Sequence, residues 1–482
     1  MKIVTNTVAN LSFTAIALAC SLGLVGCAAM AKNNVEPVAV SPSFVMPSYQ
    51  KVTLTNGIEV NLMVQNEVPL VTIDAVVKVG AINDMTSGMA YITSQSLMLG
   101  AAGQSKADIE QQLDFIGASV DTSADLEGSY IPANMMSKDV DTVLGIVSHV
   151  LRQPDFDVTE FDKLKQREIV GLSQQKESPR AVISRYFNKL VFGDHPYANP
   201  VSGNSDTIAK LSVEELRAFH KGYYQPNNLT INVVGDFDVA DMTTKLNKAF
   251  GDWQATETVV QPDLSQHLPT LTQPRVLLVD KPDAIETTFL IGGLGIRYDN
   301  PDYVGLTVVN TILGGRFTSW LNDELRVNAG LTYGARSGFT PYAHSGLFKI
   351  STFTKSSTTK AAIDLALKTY ARLWEKGIDQ ATLDSAKAYV KGQFPPKYET
   401  SGQLAGLLSD MYLYGFNDDF INQFQANVDG LTLAETQRLI KQYFPQKNLQ
   451  FVLIGNADKI ADIAAQYGEV TKVDITATGF GQ

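Results

Sequence analysis

The feature that most constrains this chain is an internal repeat: shifted by 220 residues, the sequence matches itself. Leu211-Ser212-Val213-Glu214-Glu215 meets Leu431-Thr432-Leu433-Ala434-Glu435, and Tyr223-Tyr224 meets Tyr443-Phe444. Asn228-Leu229, running on to Gly235, meets Asn448-Leu449, running on to Gly455. Seven of the 25 positions from 211 to 235 are identical, where composition alone gives about one or two. The physics repeats with the letters. Each copy opens on a capping-box signature, Ser212-x-x-Glu215 or Thr432-x-x-Glu435, then runs as an apolar helical stripe, turns at Asn and enters an apolar strand stopped by Gly. A second match, Asp157–Lys165 on Asp379–Lys387, needs a shift of 222. One unit folded twice is therefore expected, and 482 residues are ample for two large domains.

Between the copies, residues 256–274 carry Pro262, Pro269 and Pro274 among polar residues and read as a linker, which sets the domains at 48–255 and 275–470. In the first copy, Leu54-Thr55-Asn56-Gly57-Ile58-Glu59-Val60 is a hairpin signal, and residues 70–79 alternate as a strand. Helical patterns follow at 86–99 and 106–116, strands at 118–125 and 128–134, helices at 139–152, 158–176, 180–190 and 212–222, and a last strand at 229–234. Strands paired in sequence with helices grouped between them predict an α+β layer, a mixed sheet with helices packed on one face.

The first 47 residues read as targeting and tether. Lys2 precedes an apolar run from Leu11 to Gly26, short for a membrane span and suited to a secretory signal. It ends in Leu24-Val25-Gly26-Cys27-Ala28, which resembles a bacterial lipobox. Residues 1–26 are then a lipoprotein signal peptide, Cys27 is lipidated, and residues 27–47, with Asn33, Asn34, Pro37, Pro42 and Pro47, form a tether. Several acyl chains on Cys27 would hold the protein to a membrane. Ala28 in place of Asp favours, by the same resemblance, an outer-membrane lipoprotein facing the periplasm. Cys20, the other cysteine, would leave with the signal, so no disulfide is expected.

Lys and Arg number 39 against 50 Asp and Glu, a net charge of −11 that gives no reason to expect a nucleic-acid partner. The five histidines are His149, His195, His220, His267 and His344, and no two lie three or four apart. A helical His pair for zinc is therefore excluded. His149 and His220 read as helix residues with no ligand role, and His195 as a turn residue before Pro196-Tyr197. No Gly-x-Ser-x-Gly elbow and no phosphate loop occur.

Taken in order, Thr55-Asn56-Gly57, Phe192-Gly193-Asp194-His195-Pro196-Tyr197, Tyr224-Gln225-Pro226-Asn227-Asn228-Leu229, and Gly314-Gly315-Arg316 through Arg326-Val327-Asn328-Ala329-Gly330-Leu331-Thr332-Tyr333-Gly334 resemble the insulinase/pitrilysin-like zinc metallopeptidases over residues 50–465. The resemblance implies two homologous α/β-roll domains with mixed, largely antiparallel sheets, forming half of a clamshell. It also implies an inverted zinc motif, His-x-x-Glu-His, on the first long helix of a catalytic half. Here that segment reads Gly88 to Gly100, with Tyr91 and Gln95 at the ligand positions and Ser94 at the base position. A phenol and an amide are poor zinc ligands, and a serine hydroxyl is no base for metal-bound water. The family's third ligand, a Glu, falls between residues 167 and 177, where Glu168, Gly171 and Glu177 compete for the position. Both carboxylates read rather as exposed helix-face charges.

The second half keeps what the first has lost. The family's Arg-x-x-x-Gly-Leu-x-Tyr pattern is matched by Arg326, Gly330, Leu331 and Tyr333. In the family these two side chains reach across to a zinc-bearing half and hold the substrate carbonyl as charge develops on it. The alternative for Arg326 is a salt bridge to Glu324 or Asp323. The resemblance thus points to the non-catalytic, substrate-binding subunit of a heterodimeric protease. No cofactor is expected in this chain, and zinc is expected in a zinc-motif-bearing paralogous subunit. The expected partners are that subunit, a peptide substrate and, through Cys27, a membrane. A catalytically dead peptide-binding or scaffolding lipoprotein is the alternative, and an enzyme with an unrecognised site a third.

Overall fold

Asn56-Gly57 makes the tight turn that the sequence predicts, with Gly57 at φ 92° and its N–H donating to the Leu54 carbonyl. It joins β1 (Gln50–Thr53) to β2 (Glu59–Val64) in a computed structural model that describes residues 44–481. The signal, Cys27 and most of the tether lie outside the described residues. The first domain continues with β3 (Leu70–Val77), a small separate hairpin of β4 (Gly100–Ala101) and β5 (Gln104–Ser105), then β6 (Ser119–Val120), β7 (Ser123–Ala124), β8 (Ser129–Met136) and β9 (Leu229–Gly235). Its sheet runs β1-β2-β9-β3-β8-β6, with β7 also on β8.

The second domain has β10 (Arg275–Asp280), β11 (Glu286–Leu294), β12 (Arg336–Pro341), β13 (Gly346–Lys355), β14 (Gln450–Gly455) and β15 (Glu469–Asp474), in the order β12-β13-β11-β14-β10-β15. The duplication is explicit in the pairing. β2 and β9 are parallel, β9 and β3 antiparallel, β3 and β8 antiparallel; β10 and β14, β14 and β11, β11 and β13 repeat this series. The repeated helices Val213–Tyr223 and Leu433–Tyr443 obey the 220-residue shift residue for residue. Ser212 and Glu215 form the full capping box, whereas Thr432 keeps only its half, because the Glu435 carboxylate turns to Arg438 Nε at 2.8 Å.

Each domain packs its own helices on one sheet face, as expected for this fold. The other face is covered from across the molecule. Helix Pro179–Phe192 of the first copy lies on the second sheet, where Val182, Ile183, Tyr186, Phe187 and Val191 meet Leu277, Val279, Leu290, Val452 and Ile454. Its counterpart Ser401–Tyr414, shifted by 222 residues, lies on the first sheet, with Leu404, Leu407 and Leu408 in one core with Met63 and Val234. This exchange explains why β3 and β9 are buried on both faces although the sequence of β3 reads as alternating.

Two of the expected boundaries shift for the same reason, apolar burial. The last tether residues are packed: Phe44 stacks on Tyr398 at 5.3 Å, and the Met46 N–H donates to Asn422 Oδ1 at 2.8 Å. The second domain runs past 470, since β15 reaches 474 and Ile475 and Phe480 are buried beside helix Pro179–Phe192. The 256–274 linker has no helix or strand, but Leu264 is buried and Gln261 bonds to Asn83 and to the Lys78 carbonyl. Among the described residues no helix is long and apolar enough to cross a membrane.

Candidate functional site

The helix that would carry a zinc motif spans Met89–Ser96. Gly88 stands before it at φ 94°, a left-handed conformation that favours glycine. Gly88 offers no capping side chain. Asp84 does that work from outside the helix, accepting the Gly88 N–H at 2.7 Å and the Ala90 N–H at 2.8 Å. Burial pushes the Asp84 carboxyl up to about 7.

On this helix Tyr91 donates its hydroxyl to Glu168 Oε2 at 3.2 Å, and burial together with that carboxylate pushes the phenol up to about 12. Tyr91 is thus a neutral donor. Gln95 donates through Nε2 to the Thr122 carbonyl at 2.7 Å, which turns a donor, and no metal-binding lone pair, toward that neighbour. Ser94 is fully buried with no partner for its hydroxyl. These residues do not fit zinc, and no group of three His, Cys, Asp or Glu among the described residues could hold a metal ion. Of the two candidate carboxylates, Glu168 is brought to Tyr91, whereas Glu177 instead bridges Lys281 at 3.1 Å. A cavity of about 520 Å³ opens beside Gln95, walled by Leu113, Ser119, Val120, Thr122 and Arg167.

None of the histidines hydrogen-bonds to a residue of this helix among the described residues. His195 Nε2 pairs with the Leu264 carbonyl at 3.2 Å and its Nδ1 accepts the Tyr197 N–H, so it is a turn fixture. His220 is half-buried and stacked on Tyr224, with Nε2 2.8 Å from the Leu151 carbonyl, and desolvation pushes its imidazole down to about 4.

In the second half the Arg/Tyr segment is shaped by two π-helical turns, Thr311–Gly315 and Asp323–Asn328. Such turns are rare and concentrate at functional sites. Gly314 permits the first, because a Cβ there would lie 2.3 Å from the Ser337 nitrogen. Asn322, between the turns, donates to the Phe317 carbonyl at 2.6 Å and accepts the Ala335 N–H at 3.3 Å. The loop before β12 is fastened to β13 through Thr354 Oγ1 to the Leu331 carbonyl at 2.7 Å and Thr352 Oγ1 to the Gly334 carbonyl at 2.8 Å.

This framework places the Arg326 guanidinium between two rings, 4.7 Å from Phe317 and 4.6 Å from Tyr333. Phe317 is 66 % exposed and Tyr333 76 %. The salt bridge that competed for Arg326 does not form. Glu324 pairs with Arg372 at 3.1 Å and accepts from Asn328, and among the described residues Arg326 has no carboxylate partner. A cation held by aromatic walls, with its N–H groups uncommitted, suits a carbonyl or carboxylate brought from outside. Phe317 was missed in the sequence. Its signal was weak: it lies directly after Gly314-Gly315-Arg316.

Two homologous α+β domains, with no metal-binding cluster among the described residues, have the fold of half of a clamshell peptidase. Two family models match in succession, one described as Insulinase (Peptidase family M16) over residues 61–205 and one as Peptidase M16 inactive domain over residues 210–390. Together they cover more than half of the chain, which belongs to the insulinase-like M16 family. A Helicobacter pylori protein named non-peptidase homolog YmxG is 25 % identical over 79 % of this chain and 87 % of its own length. The zinc protease PqqE of the same organism is 23 % identical over 83 % and 91 %. A crystal structure of a peptidase M16 inactive domain from Pseudomonas fluorescens superposes with a TM-score of 0.78 at 25 % identity, covering 85 % of this chain and 98 % of that one.

Proposed function

We propose that this chain is the non-catalytic, substrate-binding subunit of a heterodimeric zinc metalloprotease that degrades or processes peptides in the bacterial cell envelope. The observation that carries the reading is an asymmetry within one fold. Tyr91, Ser94 and Gln95 are committed to hydrogen bonds or burial that a metal site does not use, while Arg326 and Tyr333 stand exposed and uncommitted to any carboxylate. In this reading Arg326 and Tyr333 act in trans, binding the peptide carbonyl at the partner's zinc and stabilising the charge that develops there. A zinc protease and a non-peptidase homologue occurring in one organism, both similar to this chain, support such a pairing. Lipidation at Cys27 would tether the complex to the outer membrane, facing the periplasm.

The test is peptide hydrolysis by the full chain, alone and mixed with the zinc-motif paralogue encoded in the same genome, with and without chelator. Chelator-sensitive activity in the mixture only, reduced about a hundredfold or more by Arg326→Ala, is the expected result. Peptide binding without hydrolysis in any mixture would replace this reading with the binding or scaffolding lipoprotein.

A further inference from the structure

The two rings beside Arg326 come from separate segments, and one buried side chain sets both in place. Asn322 donates to the carbonyl of Phe317 itself and accepts the N–H of Ala335, two residues after Tyr333. Arg316, the neighbour of Phe317, is turned elsewhere, to Ser385 Oγ at 3.0 Å. Glu324 is held by Arg372 and Asn328, so the Arg326 guanidinium lies over two rings with no carboxylate partner among the described residues. Both rings stay mostly open to solvent, and Val327, next in the chain after Arg326, is 63 % exposed. A single exposed hydrophobic is ordinary surface. Two open rings on one half-buried cation, with an exposed valine beside it in the chain, make a small apolar patch around a hydrogen-bond donor, the composition of a ligand site.

A peptide carbonyl accepted by Arg326 constrains where the neighbouring side chain can go. A side chain starts about 3 Å from its own carbonyl oxygen. The ring centroids of Phe317 and Tyr333 lie 4.7 and 4.6 Å from the guanidinium carbon, so a side chain flanking the bound carbonyl comes within reach of those rings. A polar side chain there would lose water without gaining a partner, whereas an apolar one is buried and an aromatic one stacks. Tyr333 carries a hydroxyl, so Phe317 is the wholly apolar ring of the pair.

Resting on the reading above that Arg326 and Tyr333 bind the peptide, we propose that Phe317 is the specificity residue of this chain and selects peptides with an aromatic or large aliphatic side chain beside the carbonyl that Arg326 holds. The test is an NMR titration of the full chain carrying isotope-labelled arginine, with acetyl-Ala-Phe-Ala-amide, acetyl-Ala-Ala-Ala-amide and acetyl-Ala-Asp-Ala-amide. The Arg326 Nε–H signal, identified by its loss in Arg326→Ala, reports binding. The phenylalanine peptide is expected to bind about tenfold more tightly than the alanine peptide. That margin should vanish in Phe317→Ala, which leaves the core untouched because the ring is mostly exposed, and return in Phe317→Tyr. Equal affinities, a margin that survives Phe317→Ala, tighter binding of the aspartate peptide, or no saturable shift with any peptide would each overturn the proposal. Hydrolysis in the mixture with the zinc-motif paralogue is read separately: selective binding without hydrolysis keeps Phe317 as the specificity residue of a binding lipoprotein and removes only the protease partnership.

Discussion

Truncating Phe187 to alanine should destabilise both halves of the molecule together. Phe187 belongs to the first copy by sequence, is fully buried, and packs against Leu277, Val279, Leu290, Val452 and Ile454 of the second sheet. A Phe→Ala change in a core costs about 3–5 kcal/mol. Unfolding entropy of about 2.1 cal/mol/K per residue over residues 44–481 gives about 0.9 kcal/mol/K, so the melting temperature should fall by about 3–5 °C. The assay is thermal or urea unfolding of single-tryptophan variants, one keeping Trp253 in the first domain and one keeping Trp320 in the second. If the exchanged helices lock the halves into one cooperative unit, both probes report one transition and both shift alike. A shift at Trp320 with Trp253 unmoved would refute the argument, since it would show that the first domain does not depend on the helix it lends.

Three further outcomes follow from the geometry. Phe317→Leu removes one wall from Arg326 while keeping bulk; the ring-current shift of the Arg326 side-chain protons in NMR spectra should shrink, and an unchanged spectrum would mean that the guanidinium is held by Tyr333 alone. Asp74 has its carboxyl raised from 3.8 to about 6, so the folded state binds the proton more tightly and stability falls as pH rises through that window. Asp74→Asn should therefore gain on the wild type by about 3 kcal/mol between pH 4 and pH 8 in denaturant melts, and a gap that is constant with pH would contradict this. The triple change Tyr91→His, Ser94→Glu, Gln95→His should bind zinc stoichiometrically by atomic absorption, with Glu168 as third ligand. Retention of zinc after a further Glu168→Gln would show that another residue holds that position.

Much of the chain was legible because its signals are local. The Asn56-Gly57 turn, the 106–116 helix, and the capped helix of each copy depend on neighbours within a few positions, and the structure places them where the sequence does. Ligation depends first on the chemistry of the side chain, and Tyr, Ser and Gln have the wrong chemistry for zinc whatever surrounds them.

Other features could not be read, because they depend on partners far away in the chain. Whether Arg326 pairs with Glu324 or stays free is decided by Arg372, which takes Glu324, and by Phe317, which supplies the second ring. That Glu168 rather than Glu177 meets Tyr91 depends on how helix Val158–Gln175 packs, and a helical pattern leaves that open. Sequence alone therefore determined the duplicated architecture and the absence of the zinc-ligand chemistry, both written in spacing and residue type. Tertiary structure alone decided that each half lends a helix to the other's sheet, and that one lent helix buries an unpaired Asp74. The Ser409–Asp74 contact spans 335 positions, and no local pattern encodes which face of a sheet a distant helix will cover.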